Sequence, residues 1–85
     1  MSKEKEIGEI THYYGKIGVG VVKLSAEMKA GDRIHILGHT TDFEQTVDSM
    51  QIEHKRVERA KKGESIGLKV AEHVREGDKV YKIIE

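Results

Sequence analysis

The chain has 85 residues, no cysteine, and 15 basic residues balanced by 15 acidic ones. One hydrophobic core is expected at this length, and the lack of cysteine excludes disulfides, thiolate metal sites and a cysteine nucleophile. The zero formal charge argues against a dedicated, strongly electrostatic nucleic-acid binder. The sequence contains no apolar run of signal-peptide or membrane-spanning length, so a cytoplasmic location without membrane contact is predicted.

Charge and composition vary along the chain. Residues 1–53 carry six basic and nine acidic residues, whereas residues 54–85 carry nine basic and six acidic ones. The absence of asparagine and the 35% share of charged residues fit a thermophile source. We divide the chain into a charged leader, residues 1–5, and one folded domain, residues 6–85.

Two β-rich runs open the domain, at residues 7–14 and 17–24. In the second run Ile17, Val19 and Val21 alternate with glycines. This alternation places three branched side chains on one face of a strand and leaves the other face nearly bare. The pattern is typical of a strongly curved strand.

The next two strands are predicted from a period of two that begins at Arg33 and from residues 43–54. In the second of them the inward side chains change from Val47 to Met50 and Ile52, and this change of parity requires a bulge near residue 48. Around the connection between the second and third strands, Leu24 and Met28 are expected to cover one end of the core.

Residues 66–70 and 79–84 complete a set of six predicted strands. A helix over residues 51–62 is the alternative for that segment, but its apolar stripe is thin. Many short strands at turn-marked intervals, some of them glycine-bearing and curved, predict an all-β sandwich or barrel, and a barrel is favoured.

Three turns share one sequence pattern. Residues 29–34, 61–66 and 75–80 each read basic, any residue, glycine, acid, any residue, branched apolar. Glycine allows a positive φ, and we expect the acid to cap or solvate the turn before a strand begins. The shared pattern is therefore interpreted as an architectural device.

No catalytic, metal or cofactor site is predicted. Residues 15–20 are rich in glycine, but Ile17 stands where a phosphate-binding loop needs a hydroxyl. His35 and His39 are four residues apart across a strand and a turn, where this spacing does not align metal ligands. Ser25, Ser49 and Ser65 lie in no nucleophile motif.

The segment of residues 54–62 is the strongest candidate interaction site because it holds five lysine and arginine residues and one glutamate. Clustered cations bind phosphates, although a solvated connection on a charge-rich surface is the simpler interpretation. The candidate RNA-binding residues are His54, Lys55, Arg56, Arg59, Lys61 and Lys62.

Five motifs together resemble domain two of elongation factor Tu, elongation factor one-alpha and initiation factor two. They are the glycine-rich opening strand at residues 16–22, the turn into strand three at residues 28–34, the stretch 47–54, and the turns 63–67 and 75–78. The resemblance covers about four-fifths of the chain and implies a six-stranded, closed or nearly closed Greek-key β-barrel. Similar barrels also occur at the end of collagenase-like peptidase-family proteins, so the fold does not imply one role.

The resemblance also has departures. The aminoacyl-tRNA carriers have Glu-Met-His-His or Glu-Met-His-Arg where this chain has Gln51-Ile-Glu-His54, and Ser65 replaces their asparagine, so His54 alone retains that pocket's chemistry. The absent GTPase domain implies no GTP binding. We therefore predict a non-enzymatic, translation-factor-like barrel that binds RNA, tRNA or the ribosome, with a protein-interaction module that binds no nucleic acid as the alternative.

Overall fold

The computed structural model describes residues 3–84, which form ten β-strands and no helix. The all-β prediction is confirmed. The strands are β1 (Lys3–Tyr14), β2 (Val19–Leu24), β3 (Met28–Lys29), β4 (Arg33–Leu37), β5 (Asp42–Thr46), β6 (Met50–Ile52), β7 (Lys55–Val57), β8 (Arg59–Ala60), β9 (Ser65–Lys69) and β10 (Lys79–Ile84).

Eight of the strands form one antiparallel sheet in the order β5-β4-β10-β1-β2-β9-β6-β7, and β3 pairs with β8 separately. The predicted closed six-stranded barrel is wrong, because the hydrogen-bonded ladder ends at β5 and β7. Where β5 approaches the end of β9, the side-chain amide of Gln45 donates to the carbonyl oxygen of Lys69 (2.9 Å) and accepts from the amide nitrogen of Ala71 (2.7 Å). One side chain therefore replaces a strand ladder at this seam.

The strand predicted over residues 43–54 is divided into β5 and β6. The chain leaves one end of the sheet after Thr46 and joins the other end at Met50, so residues 47–49 are the corner. Val47 and Met50 are both buried, which confirms the predicted change of parity, but the predicted bulge is wrong because the change occurs between two strands. The helix alternative for residues 51–62 is wrong, since that segment holds β6, β7 and β8.

Strand β1 begins at Lys3, inside the segment interpreted as a charged leader, and its first residues pair with β10. The core consists of branched and unbranched aliphatic side chains with one phenylalanine, and Leu24 and Met28 are part of it as predicted. Its buried apolar members are Ile7, Ile10, Val22, Leu24, Met28, Ile34, Ile36, Phe43, Val47, Met50, Ala60, Ile66, Leu68, Val70, Val74 and Val80.

The three turns with the shared pattern have the same geometry, as predicted. Gly31, Gly63 and Gly77 have φ values of 95°, 92° and 94°. In each turn the acid's backbone N–H donates to the carbonyl oxygen of the basic residue three positions earlier, which is the form of a type II turn. The acid's carboxylate then accepts from that basic residue's N–H at 2.6–2.9 Å. Each turn is thus closed in both directions.

Candidate functional site

A row of residues crosses the outer face of the sheet at its β2-β9-β6-β7 end. Val21 pairs with Gly67, Gly67 with Gln51, and Gln51 with Arg56. Paired residues present their side chains on the same side of a sheet. Gly67 has no side chain, so the row has a gap between Val21 and Gln51.

Two adjoining cavities of about 270 Å³ and 220 Å³ meet at this gap, and both are lined by Ile17, Val19, Gln51 and Gly67. We call the combined depression the Gly67 groove. Gly67 is its floor, Val19, Val21 and Gln51 are its walls, and Tyr14 and Ile17 rise at one end. It has an apolar side on β2 and a polar side on β6.

The β1–β2 turn holds the apolar end of the groove in place. The carbonyl oxygen of Tyr14 accepts the N–H groups of Ile17 (3.3 Å) and Gly18 (2.9 Å). The ammonium group of Lys69 donates to the carbonyl oxygen of Ile17 at 2.9 Å. Tyr14 and Ile17 nevertheless keep 50% and 59% of their surface exposed. The turn is therefore ordered by backbone hydrogen bonds, while its apolar side chains remain available for contact.

The β6–β7 turn forms the opposite lip. Its two central residues, Glu53 and His54, have φ values of 50° and 66°, and a two-residue hairpin with two positive φ values is a type I′ turn, in which Asn-Gly is the favoured pair. A non-glycine residue in this region costs about 1–3 kcal/mol, and such residues concentrate at functional sites. The turn thus places the ionisable side chains of Glu53 and His54 beside the groove, although asparagine and glycine would adopt its backbone conformation more easily.

Nothing in the backbone requires glycine at position 67. Gly67 lies within a regular strand, and an added Cβ would meet Val19 Cγ1 at 3.4 Å and the Gln51 carbonyl oxygen at 3.9 Å, both ordinary contacts. Glycine weakens a strand interior by about 0.5–1 kcal/mol relative to alanine. A glycine that the fold does not need often marks close approach by a ligand or another chain.

The six residues predicted to bind RNA are exposed but lie on different surfaces. His54 is at the lip of the Gly67 groove and Arg56 is in its row. Arg59 is on the separate β3–β8 pair and lies 3.8 Å from the carboxylate of Glu27. Lys62 lines another cavity, of about 360 Å³. Lys55 is on the edge strand β7, and Lys61 precedes the turn that is capped by Glu64. The role assigned to these residues stays a prediction.

A second polar cluster surrounds His35 on the outer face of β4. Its Nδ1 lies 2.9 Å from a carboxylate oxygen of Glu4, and its Nε2 lies 2.6 Å from Asp42. The hydrogen bond with Asp42, and then that with Glu4, raise the pKa of His35 above its ordinary value. Within residues 3–84, Glu4, His35 and Glu44 also place potential metal-ligand atoms within 4.8 Å of one another. The raised pKa favours the protonated ring, which opposes metal binding.

The pair of hydrogen bonds that holds His35 between Glu4 and Asp42, here called the His35 clamp, makes the stability of the fold depend on pH. Because the folded-state pKa of His35 is raised, its contribution is fully present below the unfolded pKa of about 6.5 and is lost as pH rises through the folded pKa. Urea midpoints of the wild type should therefore fall between pH 6 and pH 9 more than those of His35→Gln. His39→Gln serves as the control, since His39 is exposed and makes no polar side-chain contact within residues 3–84. Parallel pH profiles for the wild type and His35→Gln would contradict the clamp.

The serines in the part of the chain that the structure describes have no catalytic arrangement around them. Between residues 3 and 84, no hydroxyl of Ser25, Ser49 or Ser65 is hydrogen-bonded to a histidine or a carboxylate. Nucleophilic catalysis by serine requires such a base within reach. The same residues include no helix long and apolar enough to cross a membrane.

The chain is similar in sequence to proteins that are named protease and collagenase. No protein-family model matches the chain. It is 49% identical over 81 residues to an uncharacterized protease of Methanocaldococcus jannaschii, covering 94% of this chain and 20% of the relative. It is 37% identical over 78 residues to a collagenase of Porphyromonas gingivalis, covering 89% of this chain and 22% of the relative. The chain thus spans about a fifth of the length of these relatives.

The fold is that of a known domain. The C-terminal domain of a Geobacillus thermoleovorans protein described as a U32 peptidase superimposes with a TM-score of 0.85, at 16% identity, over 89% of this chain and 96% of that domain. A second structure of the same domain gives a TM-score of 0.84 at 18% identity, over 89% of each chain. These identities establish a shared fold alone.

The resemblance to translation-factor domain two is therefore wrong, and so is the RNA-binding function that it implied. The relatives are named protease and collagenase, and the matching solved structure is the C-terminal domain of a U32 peptidase. Gly67 and the outward Val19 and Val21 line the candidate site but were not predicted from the sequence. The sequence shows Gly67 as a glycine in the middle of a strand, and Val19 and Val21 as apolar residues that alternate with glycines. Neither pattern shows which face of the strand is on the outside of the protein.

Proposed function

We propose that this chain is a non-catalytic accessory domain that binds polypeptide in a peptidase-related protein. The observation that carries this proposal is its match to about a fifth of proteins named protease and collagenase, together with a fold shared with the C-terminal domain of a peptidase. A segment of this size beside a much larger remainder fits an accessory domain. A cytoplasmic location stays a prediction and is compatible with the cysteine-free sequence.

The arrangement of side chains supports the non-catalytic part of the proposal. The serines of residues 3–84 lack a base, and both nitrogens of His35 are occupied by carboxylates. A histidine held between two carboxylates is tied to them and faces no serine hydroxyl. Binding requires only a shaped, partly apolar surface, and the Gly67 groove supplies one.

The first test combines hydrolysis and retention. The purified chain is incubated with fluorescein-labelled gelatin and casein, with and without divalent metal ions, and is also passed over gelatin, casein and folded-ovalbumin columns. We expect no release of labelled peptides, and retention on gelatin or casein above ovalbumin. Hydrolysis that copurifies with the chain would contradict the non-catalytic assignment, and equal passage through all three columns would contradict polypeptide binding.

A further inference from the structure

We propose that the Gly67 groove is the polypeptide-binding site of this domain, and that it takes an extended segment with a large apolar side chain over Gly67 next to an acidic residue. This inference rests on the proposed function and makes it specific. The space over Gly67 and the apolar walls of the groove support the large apolar side chain, and the cations around the groove support the acidic residue.

The missing side chain at Gly67 leaves room for one from a ligand. A Cβ at this position would meet only ordinary contacts with Val19 and Gln51, so the fold would accept alanine there. The two cavities that meet at Gly67, about 270 Å³ and 220 Å³, together lie in the lower half of the 300–1,000 Å³ range typical of drug-sized ligand sites. The groove therefore fits a side chain with a short length of backbone better than a large cofactor.

The walls of the groove favour an apolar side chain. Val19 and Val21 face outward and are only half-buried, and Tyr14 and Ile17 belong to the four exposed large hydrophobic residues of the described chain. Grouped exposed apolar side chains gain by leaving water when a partner covers them. Because the β1–β2 turn is already held by hydrogen bonds, little ordering is needed on binding.

Charge around the groove selects an acidic neighbour. Arg56 lies in the Gly67 row, and within residues 3–84 it forms no ion pair. Lys69 lines the groove, and its ammonium group donates to the carbonyl oxygen of Ile17, which carries no neutralising charge. Glu53 is the carboxylate that lines the groove. Two cations, Arg56 and Lys69, against one anion complement an acidic segment.

The polar side of the groove adds contacts suited to a peptide backbone. The side chain of Gln51 can both donate and accept hydrogen bonds, and Ser65 lies on the neighbouring strand. An extended peptide has unpaired N–H and C=O groups that need such partners. The groove thus offers apolar contact on β2 and hydrogen bonds on β6 and β9.

The direct test uses the full 85-residue chain and a fluorescein-labelled nonapeptide, Gly-Ser-Gly-Asp-Phe-Asp-Gly-Ser-Gly, followed by fluorescence anisotropy at low salt. Gly67→Val should weaken binding by about tenfold or more, because the new side chain fills the space that the phenylalanine needs. Lys5→Val is the matched control, since it introduces a β-branched residue at an exposed position of strand β1 outside the groove. The control variant should bind the peptide like the wild type. Unchanged circular dichroism and thermal midpoints establish that both variants are folded.

The charge test uses Arg56→Glu, with Arg75→Glu as a control of equal charge change at an exposed position in another turn. Arg56→Glu should weaken the acidic peptide by about tenfold and leave a peptide with Asn in place of both Asp nearly unaffected. Arg75→Glu should preserve the wild-type preference. Equal losses in the two variants would indicate an effect of net charge and overturn the role of Arg56.

The two proposals can fail separately. If Gly67→Val and Arg56→Glu bind the nonapeptide and gelatin as the wild type does, the groove assignment is overturned while polypeptide binding stands. If the wild-type chain binds neither the nonapeptide nor the gelatin and casein columns, the proposed function itself fails.

Discussion

Replacing Gly38 with alanine should lower the free energy of unfolding by about 3 kcal/mol, because overpacking against a fixed neighbour is costly. A Cβ at Gly38 would overlap the carboxyl group of Asp78. Asp78 is 4% exposed and cannot move aside, since its carboxylate accepts the N–H of Arg75 at 2.9 Å and its carbonyl oxygen accepts the N–H of Ile10 at 2.7 Å. The backbone φ at Gly38 is not in the positive range, so the effect comes from space alone.

Urea denaturation of Gly38→Ala measures this loss, and Gly67→Ala is the matched control. The control makes the same chemical change at a strand glycine where the Cβ has room, and it should be neutral or stabilising by about 0.5–1 kcal/mol. Similar midpoints for the two variants would show that Asp78 yields to the new methyl group, which the packing around it argues against.

Replacing Asp78 with alanine should cost about 2 kcal/mol, more than the equivalent change in the other two turns. Asp32, Glu64 and Asp78 cap the same backbone position in three turns of one geometry. Asp78 is buried, whereas Asp32 and Glu64 are partly exposed. The hydrogen bond from the Arg75 N–H to Asp78 is part-buried and the other two are exposed, so water replaces the lost partner less easily in the Asp78 turn. We expect losses of about 0.5–1 kcal/mol for Asp32→Ala and Glu64→Ala.

The three alanine variants form an internally controlled series, measured by urea midpoints at one pH. Equal losses in all three turns would mean that burial of Asp78 does not matter. The double variant Gly38→Ala with Asp78→Ala adds a further check, because removal of the carboxylate also removes the overlap. Its loss should be smaller than the sum of the two single losses.

The misleading resemblance has a structural explanation. Most of its motifs, at residues 28–34, 63–67 and 75–78, coincide with the three capped turns. Glycine with positive φ followed by a capping acid is a solution that many β-proteins reach independently. The order of such motifs therefore indicated a β-fold with short connections. Turn motifs of this kind do not indicate a function, because unrelated functions occur on one fold.

The local features of this protein were determined by its sequence. The turns at Gly31, Gly63 and Gly77 follow from the conformational freedom of glycine, and the buried positions of β4 and β9 follow from a period of two. The change of parity between Val47 and Met50 was also predicted, although as a bulge within one strand and not as the corner that divides β5 from β6. Each of these features depends on residues within about six positions of one another, where the chemistry of neighbours decides the outcome.

Only the tertiary structure decided the rest. The strands β3 and β8 are two residues long and exist because Met28 pairs with Ala60 across the chain. The Gly67 groove combines residues of β2, β6 and β9, and register alone places Val21, Gly67 and Gln51 in one row. Alternation names two faces of a strand without saying which one is outside, because a one-residue shift in pairing exchanges them. Long-range pairing and burial made that choice.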